Sequence, residues 1–305
     1  VWHHRDRAVG LRPGPGRRLV DADGGGQPVR DRRSAGVDRG ADPRLDALQS
    51  ALRDVLQPHF ALELLEFEVI GGDASDSLLD RLTRCEAVHP IQSRADLIRR
   101  LAPADRLGFA LAHPAMADDP VVFVKVALTA GLAASVQTIL DPKTPALDPS
   151  MSDTATFYSI NNCQQGLRGI PFGAELLRRV MDFLSATTSV RTFATLSPIP
   201  GFARWLGDDP PDDEVGQLRA CARYLLRAKR NDHPLDPVAR FHLGSGARLE
   251  RLNPGGDVSP RGMRRYLGIT ANYLYDRDHL VARQTAYRRG EVVASPSVAS
   301  LLCES

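Results

Sequence analysis

Cysteine is scarce in this 305-residue chain, and what there is does not cluster. The four cysteines, Cys85, Cys163, Cys221 and Cys303, form no CxxC pair. That argues against a disulfide framework or a zinc site and for reduced thiols. No apolar run approaches the ~20 residues needed to cross a bilayer, and the first residues hold no apolar segment of secretory type. An excess of one charge is missing too. Lys and Arg number 39 against 37 Asp and Glu, and the net +2 is too slight to imply nucleic acid or an acidic membrane as partner. There is no G-x-S-x-G elbow, so an ordinary hydrolase is not indicated. No H-x-x-x-H pair or carboxylate cluster points to a bound metal.

What is present is an ordinary globular composition, 43% hydrophobic and 25% charged, enough for a real core in one large domain or two smaller ones. Residues 1–47 stand apart. They are rich in Arg, Gly, Asp and Pro, lack lysine and show no periodicity, so they are expected to be disordered or non-native sequence. Residues 48–100 read as helical. Leucines recur at helical spacing over 45–70 with a break at Pro58, and short helices are expected over 76–84 and 93–101. Residues 101–305 read as a mixed α/β domain. Runs at 106–113 and 121–128 form a hairpin, 154–163 is a strand, 174–187 an amphipathic helix and 192–200 a strand stopped by its prolines. A helix at 214–229, a β-rich piece at 239–252 and a helix at 260–275 follow.

Three local features carry chemistry. Strand, glycine turn and helix across 154–187 contain RGIPFGA, Arg168 to Ala174. A pyrophosphate needs backbone N–H donors, little bulk and a helix amino end. Gly169 and Gly173 clear space there, and Arg168 adds charge, although glycine turns before helices are common. Ser197 in LSPIPGF ends a strand, where α/β ligand sites gather, yet a lone Ser-Pro more often caps a turn. His242 lies in an alternating stretch, where histidine is more often structural than catalytic.

Together the segments CEAVHP (85–90), VKVALT (124–129), FYSINNCQQGLRGIPFG (157–173), LSPIPGF (196–202), LDPVARFHLGSGARLERLN (235–253) and GITANYLYD (268–276) resemble the malonyl-CoA decarboxylase family. The resemblance runs from about residue 62 to about residue 298. It implies an α/β (α+β) fold of acetyltransferase type, similar to the GNAT superfamily: a mixed sheet flanked by helices and preceded by a short helical remnant. It implies decarboxylation of malonyl-CoA to acetyl-CoA and CO2 through a thioester enolate. Ser197 and His242 would be the catalytic pair and Tyr275 an active-site tyrosine. Arg168, Gly169, Ile170, Pro171, Phe172, Gly173 and Ala174 would form the CoA pyrophosphate turn. Neither a metal nor an organic cofactor is implied, coenzyme A being part of the substrate.

Some positions depart from the family pattern. Pro171 stands where some members carry a glutamate, Pro254 stands where tryptophan is expected, and much of the family's N-terminal helical domain is missing, which would weaken a homo-oligomer. Arginines 219, 223, 227, 261, 264 and 265 are candidates for the 3′-phosphate, though any one of them more often belongs to a solvated surface. Two alternatives remain open: an acyl-CoA-dependent acyltransferase, and an inactive malonyl-CoA-binding module. The closing Cys303-Glu304-Ser305 is not a peroxisomal SKL signal, so a cytoplasmic location is expected.

Overall fold

The computed structural model describes residues 43–303 other than Arg168. Arg168, assigned to the pyrophosphate turn, and most of the 1–47 segment therefore lie outside the described residues.

In chain order the elements are α1 (Pro43–Leu56), β1 (Glu66–Ile70), α2 (Asp76–Cys85), α3 (Arg94–Arg99), β2 (Arg106–Ala112), β3 (Val122–Thr129), α4 (Gln137–Leu140) and β4 (Thr154–Asn162). Then come α5 (Phe172–Thr187), β5 (Thr192–Thr195), α6 (Phe202–Leu206), α7 (Glu214–Arg227), β6 (Lys229–Arg230), β7 (His233–Pro234) and α8 (Pro237–Gly244). The last are β8 (Arg248–Asn253), α9 (Pro260–Tyr266), β9 (Thr270–Tyr275), α10 (Leu280–Arg288) and α11 (Pro296–Ala299).

Seven strands form one sheet in the order β1-β2-β3-β4-β5-β9-β8, while β6 and β7 pair separately. Every pairing in the large sheet is antiparallel except β4 with β5. That parallel join is short, running from Thr154↔Thr192 to Phe157↔Thr195. One more bond follows, from Leu196 N to the Phe157 carbonyl, and then the chain leaves β4 to pair Ser197 with Ala271 of β9. Tyr158 to Asn162 thus lose β5 as a neighbour, and the two strands part. Opposite the parting the β3–β4 register shifts, Val126 facing Phe157 and Lys125 facing Ser159. The extra residue, Tyr158, is a bulge, a device that bends a strand next to a site.

Each face of the sheet is covered by helices whose sequence periodicity specifies their buried side. Leu176, Leu177, Val180, Met181 and Leu184 of α5 pack with Phe109, Val124, Phe157 and Phe193. Leu79 and Leu82 of α2 and Leu97 of α3 cover Ile70, Ala110 and Phe123 on the other face. Fully burying each such leucine stabilises the fold by about 1.5–3 kcal/mol. Ser75 and Ser93 cap α2 and α3, accepting from Leu78 N and Asp96 N.

Four expectations change. The 45–70 stretch is not helical throughout: past Leu56 it passes through short 3-10 turns into β1, which pairs along β2. The strand expected over 192–200 ends at Thr195, because Pro198 and Pro200 cannot donate to a ladder. The β-rich reading of 239–252 is wrong at its start. Residues 237–244 are helical because Asp236 accepts from Val238 N and Ala239 N, Pro237 sits in the first turn, and Ala239, His242 and Leu243 share the buried face at helical spacing. The helix expected over 260–275 stops at Tyr266. Leu267 (φ 52°) and Gly268 (φ 72°) take left-handed conformations there, and β9 follows.

Candidate active site

A cavity of about 290 Å³ opens where β4 and β5 part, with Ser159 and Ile160 on one side and Ser197, Phe241 and His242 on the other. Gly173, in the first turn of α5, also lines it. One space therefore joins the amino end of α5 to Ser197 and His242.

Ser197 is held by two backbone bonds to Ala271, its amide donating at 2.8 Å and its carbonyl accepting at 2.9 Å. Its hydroxyl lies 3.1 Å from His242 Nε2 and donates to Thr195 Oγ1 at 2.9 Å. Thr195 Oγ1 also accepts from Tyr273 N at 3.1 Å. On the far side of the ring, His242 Nδ1 is 2.8 Å from the Tyr275 hydroxyl. With Ser197 donating to Thr195, the imidazole donates from Nε2 to Ser197 and accepts the Tyr275 proton at Nδ1. The ring is packed tightly as well: Tyr273 stacks on it with centroids 4.8 Å apart, and Phe241 meets it edge-on at 4.9 Å.

Ser197, His242 and Tyr275 are 5%, 3% and 3% exposed, so the three residues singled out from the sequence meet in one dry cluster. Burial pushes His242 down to about 3, which keeps the imidazole neutral in the physiological range. Burial likewise pushes the Tyr275 hydroxyl well above its ordinary range.

Asp236 ties the two halves of this cluster together. One carboxylate oxygen caps α8, the helix that carries His242. The other accepts from Gly201 N at 3.4 Å, in the turn after Ser197, and from the Tyr224 hydroxyl at 3.5 Å. Burial raises this carboxyl above its usual range against the amide bonds that hold it down.

In the turn assigned from the sequence to the pyrophosphate, the two glycines are needed for different reasons. Gly169 has φ +97°, a conformation L side chains rarely adopt. Gly173 is needed because a Cβ there would lie 3.0 Å from the Phe241 ring. Pro171 precedes the first turn of α5 without a side-chain cap, and Phe172 N bonds to the Ile170 carbonyl at 2.9 Å. The amides of Gly173 and Ala174 find no acceptor among the described residues, which leaves two donors at a helix amino end. Of the arginines considered for the 3′-phosphate, 223, 227, 264 and 265 are exposed, and Arg261 donates to the Val88 carbonyl at 3.5 Å.

Two groups at the site escaped the sequence reading. Thr195, two residues before Ser197, orients its hydroxyl. Behind the cavity wall Lys125 Nζ lies 2.7 Å from Glu86 Oε2, both side chains buried. Glu86 also accepts from Ser159 Oγ, Val88 N and His89 N at 2.7–2.9 Å. Burial opposes ionisation of Glu86, but Lys125 and these donors outweigh it and hold the carboxyl at about 2. Ser159 and Val88 line the cavity, so the pair fixes part of its wall. Among the described residues, no three His, Cys, Asp or Glu side chains gather so as to hold a metal ion.

Comparison with known proteins agrees in fold and sequence. The family model for the malonyl-CoA decarboxylase C-terminal domain matches residues 63–219 and 216–305. The mitochondrial malonyl-CoA decarboxylase of Anser anser anser is 30% identical over 297 residues, covering 80% of this chain and 59% of that protein. The crystal structure of malonyl-CoA decarboxylase from Agrobacterium vitis superposes with TM-score 0.80 at 39% identity, covering 85% of this chain and 72% of that one. The loading GNATL domain of CurA from Lyngbya majuscula is similar in fold alone, with TM-score 0.50 at 15% identity over 70% of this chain and 99% of that one. The chain spans 59–64% of the length of the curated relatives it matches.

Proposed function

The chain belongs to the malonyl-CoA decarboxylase family, and from that premise we propose that it converts malonyl-CoA to acetyl-CoA and CO2 at the Ser197–His242 pair. The observation that carries this reading is the cavity that joins those side chains to Gly173 at the amino end of α5. The amides of Gly173 and Ala174 bind the CoA pyrophosphate, and the pantetheine arm lies in the gap between β4 and β5. The malonyl group then reaches Ser197.

Loss of CO2 moves a localised carboxylate charge onto a delocalised thioester enolate. A pocket whose described lining carries no Lys or Arg favours that change, because a fixed positive charge would hold the carboxylate in its ground state. Neutral His242 meets this requirement. The thioester itself is the electron sink, so the step calls for neither a metal nor an organic cofactor. Ser197 hydrogen-bonds the malonyl group. The Nε2 proton of His242 passes to the enolate carbon, directly or through the Ser197 hydroxyl, and solvent later restores it. An enolate carbon is a far stronger base than imidazolate, so a neutral imidazole suffices as the acid. Tyr275 holds Nδ1 and thereby fixes which nitrogen faces the substrate.

The test is release of CO2 and acetyl-CoA from malonyl-CoA by the purified chain with EDTA present. Acetyl-CoA appearing in step with malonyl-CoA loss is the expected result. Saturable malonyl-CoA binding without turnover would mean an inactive binding module. Free CoA released from acetyl-CoA only when amines are added would mean an acyltransferase.

A further inference from the structure

Cys85 and Cys163 take no part in the chemistry above, yet the fold brings them together. Cys85 is the last residue of α2, and Cys163 follows the last residue of β4. Two hydrogen bonds align these ends. Arg81, one helical turn before Cys85, donates from Nη2 to the Cys163 carbonyl at 3.0 Å. The amide of Ala87, two residues after Cys85, donates to Asn161 Oδ1 at 2.8 Å, two residues before Cys163. The two segments thus run antiparallel with residues 85 and 163 opposite each other. Cys163 is buried in the cluster formed with α2 and α3, and the half-buried Cys85 packs against that cluster.

We propose that Cys85 and Cys163 form a thiol oxidation site that closes to an intramolecular disulfide on reaction with a hydroperoxide. Two features make Cys85 the attacking sulfur. It is the more accessible of the two, and a hydrogen bond from the Cys163 thiol, opposed by burial and assisted by the charge of Arg81, holds it at about 7. Asp119, which pairs with Arg81, opposes the shift, and Arg84 adds to it. The Cys163 thiol is pushed up by the same hydrogen bond and by burial, so it stays protonated until Cys85 has reacted.

The Cys85 thiolate attacks one peroxide oxygen and breaks the O–O bond. Cys85 becomes a sulfenic acid, and the other oxygen leaves as hydroxide. The Cys163 sulfur then attacks the Cys85 sulfur, its proton leaving with the displaced hydroxide as water. The two thiols lose two electrons and two protons in all, and hydrogen peroxide becomes two molecules of water. Forming an S–S bond of ~2 Å draws the residue before Glu86 toward the residue after Asn162. A small dithiol reductant reverses the change.

The experiment uses the full chain in a Cys303→Ser background, which removes the exposed thiol from the readout. The reduced protein is treated with a stoichiometric amount of hydrogen peroxide and its intact mass is recorded. The expected result is loss of two hydrogen masses, a peptide pair crosslinked between Cys85 and Cys163, and return to the starting mass with dithiothreitol. Cys163→Ser should stop at the sulfenic acid and be trapped by dimedone at Cys85. Both cysteines remaining open to alkylation after peroxide would overturn the proposal, as would a mass loss that persists in Cys85→Ser. These readouts do not depend on turnover, so they stand or fall apart from the proposed activity.

Discussion

His242 has a phenol on one ring nitrogen and an alcohol on the other, and among the described residues no carboxylate on either. Such a ring is a poor home for an imidazolium and a good one for a neutral donor. His242→Ala should therefore reduce kcat by at least ~100-fold, the usual worth of a positioned acid–base group, with little change in CoA affinity; steady-state kinetics with a CoA inhibition constant checks both. The same burial has a cost in acid. His242 and His89 fall from 6.5 to about 3 and about 4, both chiefly by burial. Between the folded and unfolded pKa only the unfolded chain binds the proton, so stability is fully present above 6.5 and is lost as pH falls toward those folded values. The melting temperature should drop steadily from pH 6.5 to about 4, and His242→Asn should flatten part of that slope. Ser197, His242 and Tyr275 were legible because their surrounding motifs are long and specific. Thr195 and the Glu86–Lys125 pair were not, because each acts through a contact that sequence spacing does not encode.

Among the elements, α8 matters most for its size. It is eight residues long, started by Asp236 and Pro237, and it sets where His242 points. Val238, Arg240 and His242 alternate with Ala239, Phe241 and Leu243, so the stretch mimics a strand, and only the Asp-Pro start betrays a helix. Asp236→Ala should cost about 0.5–2 kcal/mol from the lost cap, and somewhat more because Gly201 N and Tyr224 lose an acceptor. Thermal melts measure that loss, and a fall in kcat larger than the rise in KM would mark the displaced imidazole. At the amino end of α5 the contact runs the other way. Gly173→Ala sets a methyl against the Phe241 ring, so KM for the acyl-CoA should rise, and Gly173→Ala/Phe241→Leu should recover part of it. The helix expected over 260–275 gives way to β9 for an equally local reason: Leu267 and Gly268 both turn left-handed, and nothing in the helical pattern before them announces it.

At the scale of the molecule, the architecture was legible from the alternation of strands and helices, but the strand order was not. The placing of β9 between β5 and β8, and the union of β1 with the sheet, depend on pairings far apart in the chain. The parting of β4 from β5 has a consequence for durability. Tyr158 to Asn162 present a sheet edge inside the protein, and such an edge is normally paired or covered. A ligand whose arm carries amide groups can lie along it as a missing strand, so occupancy and folding become linked equilibria. Free CoA at one hundred times its Kd should add about 2.7 kcal/mol to the folded state, read as a rise in melting temperature. The amides of β4 beyond Phe157 should gain most protection from hydrogen exchange. The unliganded protein would then be the form that proteases and heat remove first, tying the lifetime of the chain to the supply of its own ligand.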